Sequence, residues 1–242
     1  LRVRELDDQA IRGLVPETIA AIEDGDLMQV EVAVPMYAAL RLAREDGVRV
    51  VLTGQGADEL FAGYEWYPRI LAEQGEAALL AAMWGDLSNL YRDTLEREDK
   101  MSMAHSIELR VPFLDPAVIT EAMRISPSLK IDTSEKGPDP LRKRLHRELA
   151  LEMGVPRSIA MRLKDGAQHG SGVHVALEKV AKQNAPSPET APIVLDEPEL
   201  RGSAFRHGGI DVRGDVYGSP EARAYVSHAA RWVFEPILGA ER

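Results

Sequence analysis

Val48-Arg49-Val50-Val51-Leu52-Thr53-Gly54-Gln55-Gly56-Ala57-Asp58-Glu59-Leu60-Phe61 is the stretch on which the fold turns. Its first five residues form a short β-branched run, which reads as a strand mostly buried on both faces. The glycine-bearing turn Thr53–Ala57 then leads into a helix start at Asp58-Glu59-Leu60-Phe61. Just upstream, Pro35 to Asp46 has helical spacing at Met36, Leu40 and Ala43 and stops at Gly47, a natural residue for the position after a helix. Further back, the alternation of Leu1-Arg2-Val3-Arg4-Glu5-Leu6 predicts a short strand. Asp7 and Asp8 are candidate N-caps, and Pro16 opens a helix through Ile22. Strand, helix, strand, turn, helix is α/β order, in which ligands sit beyond the carboxyl ends of parallel strands.

Downstream the pattern becomes mainly helical. Helices are expected from Ile70 to Leu80, from about Leu87 to Lys100, from Asp115-Pro116 toward Ile125, and from Leu141 to Leu151, the last closed by Gly154 and Pro156. The loop Gly170-Ser171-Gly172 precedes a helix from Val173 to Lys182. Gln183 to Pro198 is rich in proline and poor in large apolar groups, as in a mobile linker. Arg201 to Pro220 has no assignable pattern, and Ala222 to Phe234 reads as a terminal docking helix.

Composition narrows the function classes. Hydrophobic residues make up 45% and charged residues 28% of the 242, enough for a sizeable core and a solvated surface. The net charge of −10 has the wrong sign for a protein that grips nucleic acid over its whole surface. The longest uncharged apolar stretches, Val32–Leu40 and Ala77–Trp84, are roughly half what a bilayer crossing requires. The first residues lack the apolar core of a signal peptide, and a start without Met suggests that something upstream has been removed. With no cysteine, disulfides, thiolate metal sites and a cysteine nucleophile are excluded from this chain. A cytoplasmic location is expected.

Three segments could carry chemistry. In Thr53-Gly54-Gln55-Gly56-Ala57-Asp58, the glycines let backbone amides approach an anion, and the helix N-terminus that follows favours negative charge. Asp58 would repel a bare phosphate but is useful if Mg²⁺ bridges the two; the alternative is a tight turn capped by Asp58. In Asp99 to Asp115, an extended backbone places Glu108 and Arg110 on one side and Leu109 and Val111 on the other. That segment reads as architectural, with Asp115 a cap. In Arg162 to Gly172, a polar loop with three glycines, Lys164 could neutralise charge developing on a phosphate. The basic run Arg142, Lys143, Arg144 and Arg147 reads as a solvated face unless it borders the same cleft. The six histidines, His169 and His174 among them, show no zinc spacing with a carboxylate third ligand.

Together and in this order, the three segments resemble the synthetase domain of the asparagine synthetase family. Val51-Leu52-Thr53-Gly54-Gln55-Gly56-Ala57-Asp58-Glu59-Leu60-Phe61-Ala62-Gly63-Tyr64 is similar to the family's Ser-Gly-Glu-Gly-Ser-Asp-Glu-Leu-Phe-Gly-Gly-Tyr run. The likeness continues through the Met-Ser-Met-Ala and Arg-Val-Pro-Phe-Leu-Asp pieces of Asp99–Asp115 and reaches Lys164, covering about Leu27 to Gly172. It implies an α/β fold with a parallel-sheet, ATP-pyrophosphatase-like core (adenine nucleotide alpha hydrolase-like) and a largely helical second half. It also implies that Thr53, Gly54 and Gly56 line the nucleotide, that Asp58 helps hold Mg²⁺-pyrophosphate, and that Lys164 stabilises the adenylation transition state. Gln55 would lie near the acceptor, where the best-known members carry a glutamate. The cofactors implied are ATP and Mg²⁺. The reaction is attack of a substrate carboxylate, aspartate or a similar acid, on the ATP α-phosphate, followed by displacement of AMP by ammonia to leave an amide.

Departures from the pattern shape the remaining expectations. The Gly-Gln-Gly-Ala-Asp-Glu form resembles a shorter branch of the family. Glu31 stands where the best-known members have an arginine that meets pyrophosphate. The family's Ser-Gly-Gly-x-Asp-Ser pyrophosphate loop is absent, so the chain reads as a domain missing its N-terminal βαβ, either a truncated piece or a degenerate relative. Residues 1–182 would form the synthetase-like domain, 183–200 a mobile linker, and 201–242 a C-terminal extension with a docking helix. Without cysteine there is no N-terminal-cysteine glutaminase, so ammonia would come from solution or from a separate glutaminase. No nucleic acid or membrane partner is expected, and a homo-oligomer is left open. The competing reading is a non-catalytic regulatory or scaffold relative; an RNA-modifying relative is disfavoured by the acidic balance.

Overall fold

The computed structural model describes residues 2–133, 141–184, 206–207, 210–211 and 219–238. Its first regular element is a helix, α1 (Asp8–Ile22), capped by the Asp7 carboxylate, which accepts from the Ala10 amide. The strand expected at residues 1–6 does not form over the described residues 2–6. An alternating segment becomes a strand only where a ladder partner accepts it. Here its basic side chains instead meet the end of the second helix, Arg2 with Asp46 at 3.1 Å and Arg4 with Glu45. Pro16 lies inside α1 rather than at its start. Ile11, Leu14, Val15, Ile19 and Ile22, spaced three and four apart, bury one continuous face that offsets the backbone bond lost at the proline.

Helix α2 (Leu27–Glu45) repeats this theme. It begins at the Asp26 cap, which accepts from Gln29 N, well before Pro35, which sits in its interior. Gly47 closes it with φ 77°, as its spacing predicts. The buried face of α2 packs on α1, and both pack on α11 (Val173–Asn184) and α12 (Pro220–Leu238). Val15, Ile19, Val30, Val34, Leu177, Val180 and Val226 are fully enclosed between them. The helix expected over Ala222–Phe234 forms as α12, and its packing on α1, α2 and α11 is decided by the fold.

Strand β1 (Val50–Leu52) pairs in parallel with β2 (Glu108–Arg110), Val51 opposite Leu109. Among the described residues these two make up the whole parallel sheet, so the expected larger parallel-sheet core is not there and the molecule is predominantly helical. Nor is β1 buried on both faces. Val50 is 41% and Leu52 70% exposed, and only Val51 packs against the helical core. A single strand neighbour covers one edge and the helices one face, which leaves alternate side chains of the strand in solvent.

The turn after β1 enters α3 (Ala57–Phe61). Gly75, at φ 85°, separates α4 (Tyr67–Gln74) from α5 (Glu76–Leu90), dividing the helix expected over 70–80. A π-turn at Tyr91–Leu95 then carries the chain into α6 (Glu96–Ala104) without a break. Helix α7 (Pro116–Arg124) starts at its predicted Asp115 cap, and α8 (Arg144–Glu152), α9 (Arg157–Ala160) and α10 (Ala167–Gly170) follow. Arg206–His207 and Ile210–Asp211 form a small antiparallel pair, β3 and β4. Nearly all of the proposed linker lies outside the described residues. No described helix is long and apolar enough to cross a membrane.

Candidate functional site

The turn beyond β1 is built by backbone constraints. Thr53 N donates to Arg110 O at 2.9 Å, which extends the sheet register by one residue. Gly56 then takes φ 91°, a conformation that favours glycine, and a Cβ there would run into the Leu114 side chain. The Leu60 amide bonds back to Gly56 O, starting α3 with Asp58 in its first turn.

Asp58 is the centre of the charged cluster. Its Oδ1 lies 2.9 Å from Lys143 Nζ and its Oδ2 3.7 Å from Lys164 Nζ. The close approach depends on Gly63, because a Cβ at that position would collide with both the Asp58 carboxylate and the Lys143 stem. Two ammonium groups held on one carboxylate leave a net positive corner, and all three side chains are at least two-thirds shielded from water. An anion with several oxygens is the complementary ligand.

Lys143 and Lys164 also line a cavity of about 590 Å³ with His146, Arg147 and the 165–167 turn. Arg147 is the strut of this wall. Its guanidinium donates to the carbonyls of Arg142, Ala160 and Arg162, tying α8 to the segment that carries Lys164. Arg142 reaches across to Gly63 O at 3.3 Å. The basic run is therefore not a solvated face: Arg142 and Arg147 are buried, and Lys143 belongs to the Asp58 cluster. His146 stacks on Phe61 at 4.9 Å, and burial, reinforced by Lys143 and Arg147, holds its pKa below the ordinary histidine value.

The other expected site residues divide. Asp58 and Lys164 meet, although they come from distant parts of the chain. Gln55 instead donates to Glu98 of α6, a buried carboxylate whose pKa burial pushes up. Thr53, Gly54, Gln55 and Gly56 do not line the cavity. Glu108 and Arg110 form an exposed ion pair at 2.8 Å, the architectural role expected of that segment. Lys143 is legible in the sequence only as one member of the basic run between 142 and 147, and it is the bordering of the cleft that gives it a place in the site.

The family described as asparagine synthase matches residues 2–82 and 69–201 of the chain. The chain belongs to the asparagine synthase family. Among its relatives is a Methanocaldococcus jannaschii protein named as an asparagine synthetase [glutamine-hydrolyzing] 1, 37% identical over 209 residues that cover 76% of this chain and 38% of the relative. Asparagine synthetase B [glutamine-hydrolyzing] of Escherichia coli is 32% identical over 163 residues, covering 65% of this chain and 27% of its own. The chain thus spans about a third of the length of the curated relatives it matches. Family membership agrees with the motif order Thr53–Tyr64, Asp99–Asp115 and Lys164, and the Asp58 cluster joins the first of these motifs to the last.

Proposed function

We propose that this chain carries the nucleotide-handling part of an ATP-dependent, AMP-forming amide ligase of the asparagine synthetase type. The observation that carries the reading is the Asp58–Lys143–Lys164 cluster, which stands just beyond the carboxyl end of β1 and beside a cavity of about 590 Å³. Parallel strands place ligands at that end. The first step joins a substrate carboxylate oxygen to the α-phosphorus of ATP and releases pyrophosphate. Ammonia then attacks the acyl carbon, loses a proton and displaces AMP.

In this reading Asp58 keeps two lysines together, against their mutual repulsion, until phosphate oxygens take its place. Lys143 and Lys164 then neutralise the charge that builds on the leaving pyrophosphate. The nucleotide-lining role of Thr53, Gly54 and Gly56 and the acceptor role of Gln55 rest on the family resemblance alone, since none of the four lines the cavity and Gln55 is bonded to Glu98. Asp58 also fits as a magnesium ligand, since Mg²⁺ binds through one or two carboxylates plus phosphate oxygens, and bound metal would supply further charge neutralisation. The glutamine-hydrolyzing names of the relatives support ammonia delivery from a glutaminase.

Isotope exchange between pyrophosphate and ATP, measured on the intact protein, tests the assignment. Asp58→Asn should abolish exchange in a folded protein. Lys164→Ala should lower turnover at least a hundredfold with little change in ATP affinity, as expected of a group acting mainly in the transition state. Normal exchange in the Asp58→Asn variant removes Asp58 from the site, and a loss confined to ATP affinity removes the transition-state role of Lys164.

A further inference from the structure

The histidines lack a zinc spacing in sequence, yet packing assembles what spacing does not. Glu31 lies on α2 among Val30, Ala33 and Val34 and is wholly buried. His174 and Glu178 are one turn apart on α11, so both project from the face that α11 turns to its neighbours. His174 Nδ1 stands 2.9 Å from Glu31 Oε2, although the two residues are 143 apart in the chain. One donor atom from each of Glu31, His174 and Glu178 lies within 4.8 Å of the other two. The ring of His169, on α10, meets that of His174 edge-on at 4.8 Å between centroids and adds a second imidazole at the exposed side.

We propose that Glu31, His174 and Glu178 bind a divalent first-row transition cation of the zinc type. Two carboxylates and an imidazole supply both negative charge and donor atoms to a divalent cation, and Lys182 stands near enough to act on Glu178 as well. A nitrogen donor with two carboxylates suits zinc, cobalt or nickel, whereas magnesium and calcium prefer oxygen alone. Donors about 2.0–2.2 Å from a tetrahedral zinc stand roughly 3.5 Å apart, so the Glu31–His174 pair at 2.9 Å would open slightly, while any separation near the 4.8 Å limit would close by little more than about one ångström. Glu178 also accepts the Ser219 amide at 2.8 Å at the entrance to α12, so the ion would join α2, α11 and the start of the C-terminal helix. It would further fix α10, which follows directly on the Lys164 loop. The site shares no residue with the Asp58 cluster and stands whether or not the amide-ligase reading holds.

Zinc titration of the chelator-treated 242-residue chain tests this by calorimetry, with thermal unfolding and Co²⁺ visible absorption as parallel measurements. One equivalent should bind at micromolar concentration or below, and saturating zinc should raise Tm by several degrees through selective binding to the folded state. Glu31→Gln and His174→Gln should each weaken binding at least tenfold and remove the Tm rise. His228→Gln, at an exposed histidine of α12, should leave both unchanged. Because Glu31 is buried, His174→Gln decides alone if Glu31→Gln does not fold. Absence of saturable binding, unchanged affinity in His174→Gln, or displacement of zinc by millimolar Mg²⁺ would overturn the site.

Discussion

The helical core and the β1 corner use the same apolar residue types to opposite effect. Between α1, α2, α11 and α12, valines and leucines such as Val15, Val30, Val34 and Leu177 are wholly enclosed. In β1, Val50 and Leu52 stand in solvent while the backbone beyond them turns toward a cluster of one carboxylate and two lysines. The core keeps its register because each helix presents a continuous apolar stripe to three others. The corner is held by a few specific contacts, with Gly56, Gly63 and Arg147 taking the place of bulk packing. Stability is concentrated in the first region, and the chemistry that anion-binding groups can perform in the second.

The contrast predicts graded responses. Leu177→Ala, in the enclosed core, should destabilise the fold by about 2–5 kcal/mol in denaturant unfolding, the range for a large cavity-forming truncation. A loss below about 1 kcal/mol would mean that the four helices are far less interdependent than their packing indicates.

Lys130 comes next. It is fully buried, its ammonium has no hydrogen-bond partner among the described residues, and burial lowers its pKa to about 8. The folded state thus disfavours the charged form, a penalty present in full below pH 8 and relieved as pH rises toward the ordinary lysine value of 10.5. Wild-type stability measured relative to Lys130→Met should therefore increase between those two values, by up to about 3 kcal/mol. A difference that stays flat with pH would show that the ammonium is solvated.

Gly63→Ala should cost roughly 1–3 kcal/mol, because the new methyl group must displace the Asp58 carboxylate or the Lys143 stem. It should also weaken ATP binding in calorimetric titration, separating the corner from the core, where Leu177→Ala leaves the charged cluster untouched. Unchanged nucleotide affinity in a folded Gly63→Ala protein would dissociate the Asp58–Lys143 pair from the site. The smallest effect is expected at Leu52→Ser. An exposed strand position should shift stability by no more than about 0.5 kcal/mol while reducing self-association in sedimentation velocity, since exposed apolar strand edges template pairing between chains.

Much of this organisation was legible in order and little of it in space. The turn at Thr53–Ala57, the Asp115 cap, the Gly47 stop and a helix over Ala222–Phe234 all appear as predicted. Asp26, whose side chain starts α2, is a weaker local signal than Pro35, which lies inside the helix. Pro16 and Pro35 misled for one reason: proline is a local signal, and the gain from burying a long helical face outweighs one missing backbone bond. The strand expected at residues 1–6 failed because alternation states which side chains share a face without supplying a partner strand.

By itself the sequence determined the family motifs, the helix stops and the glycines without which the turn after β1 could not close, since these depend on residues within a few positions of one another. Tertiary structure alone decided that Lys143 leaves a basic run to join Asp58 and Lys164, that Gln55 turns to Glu98, and that Glu31 meets His174. Such pairs are set by how helices pack, and packing brings together side chains whose separation along the chain carries no local periodicity by which to find them.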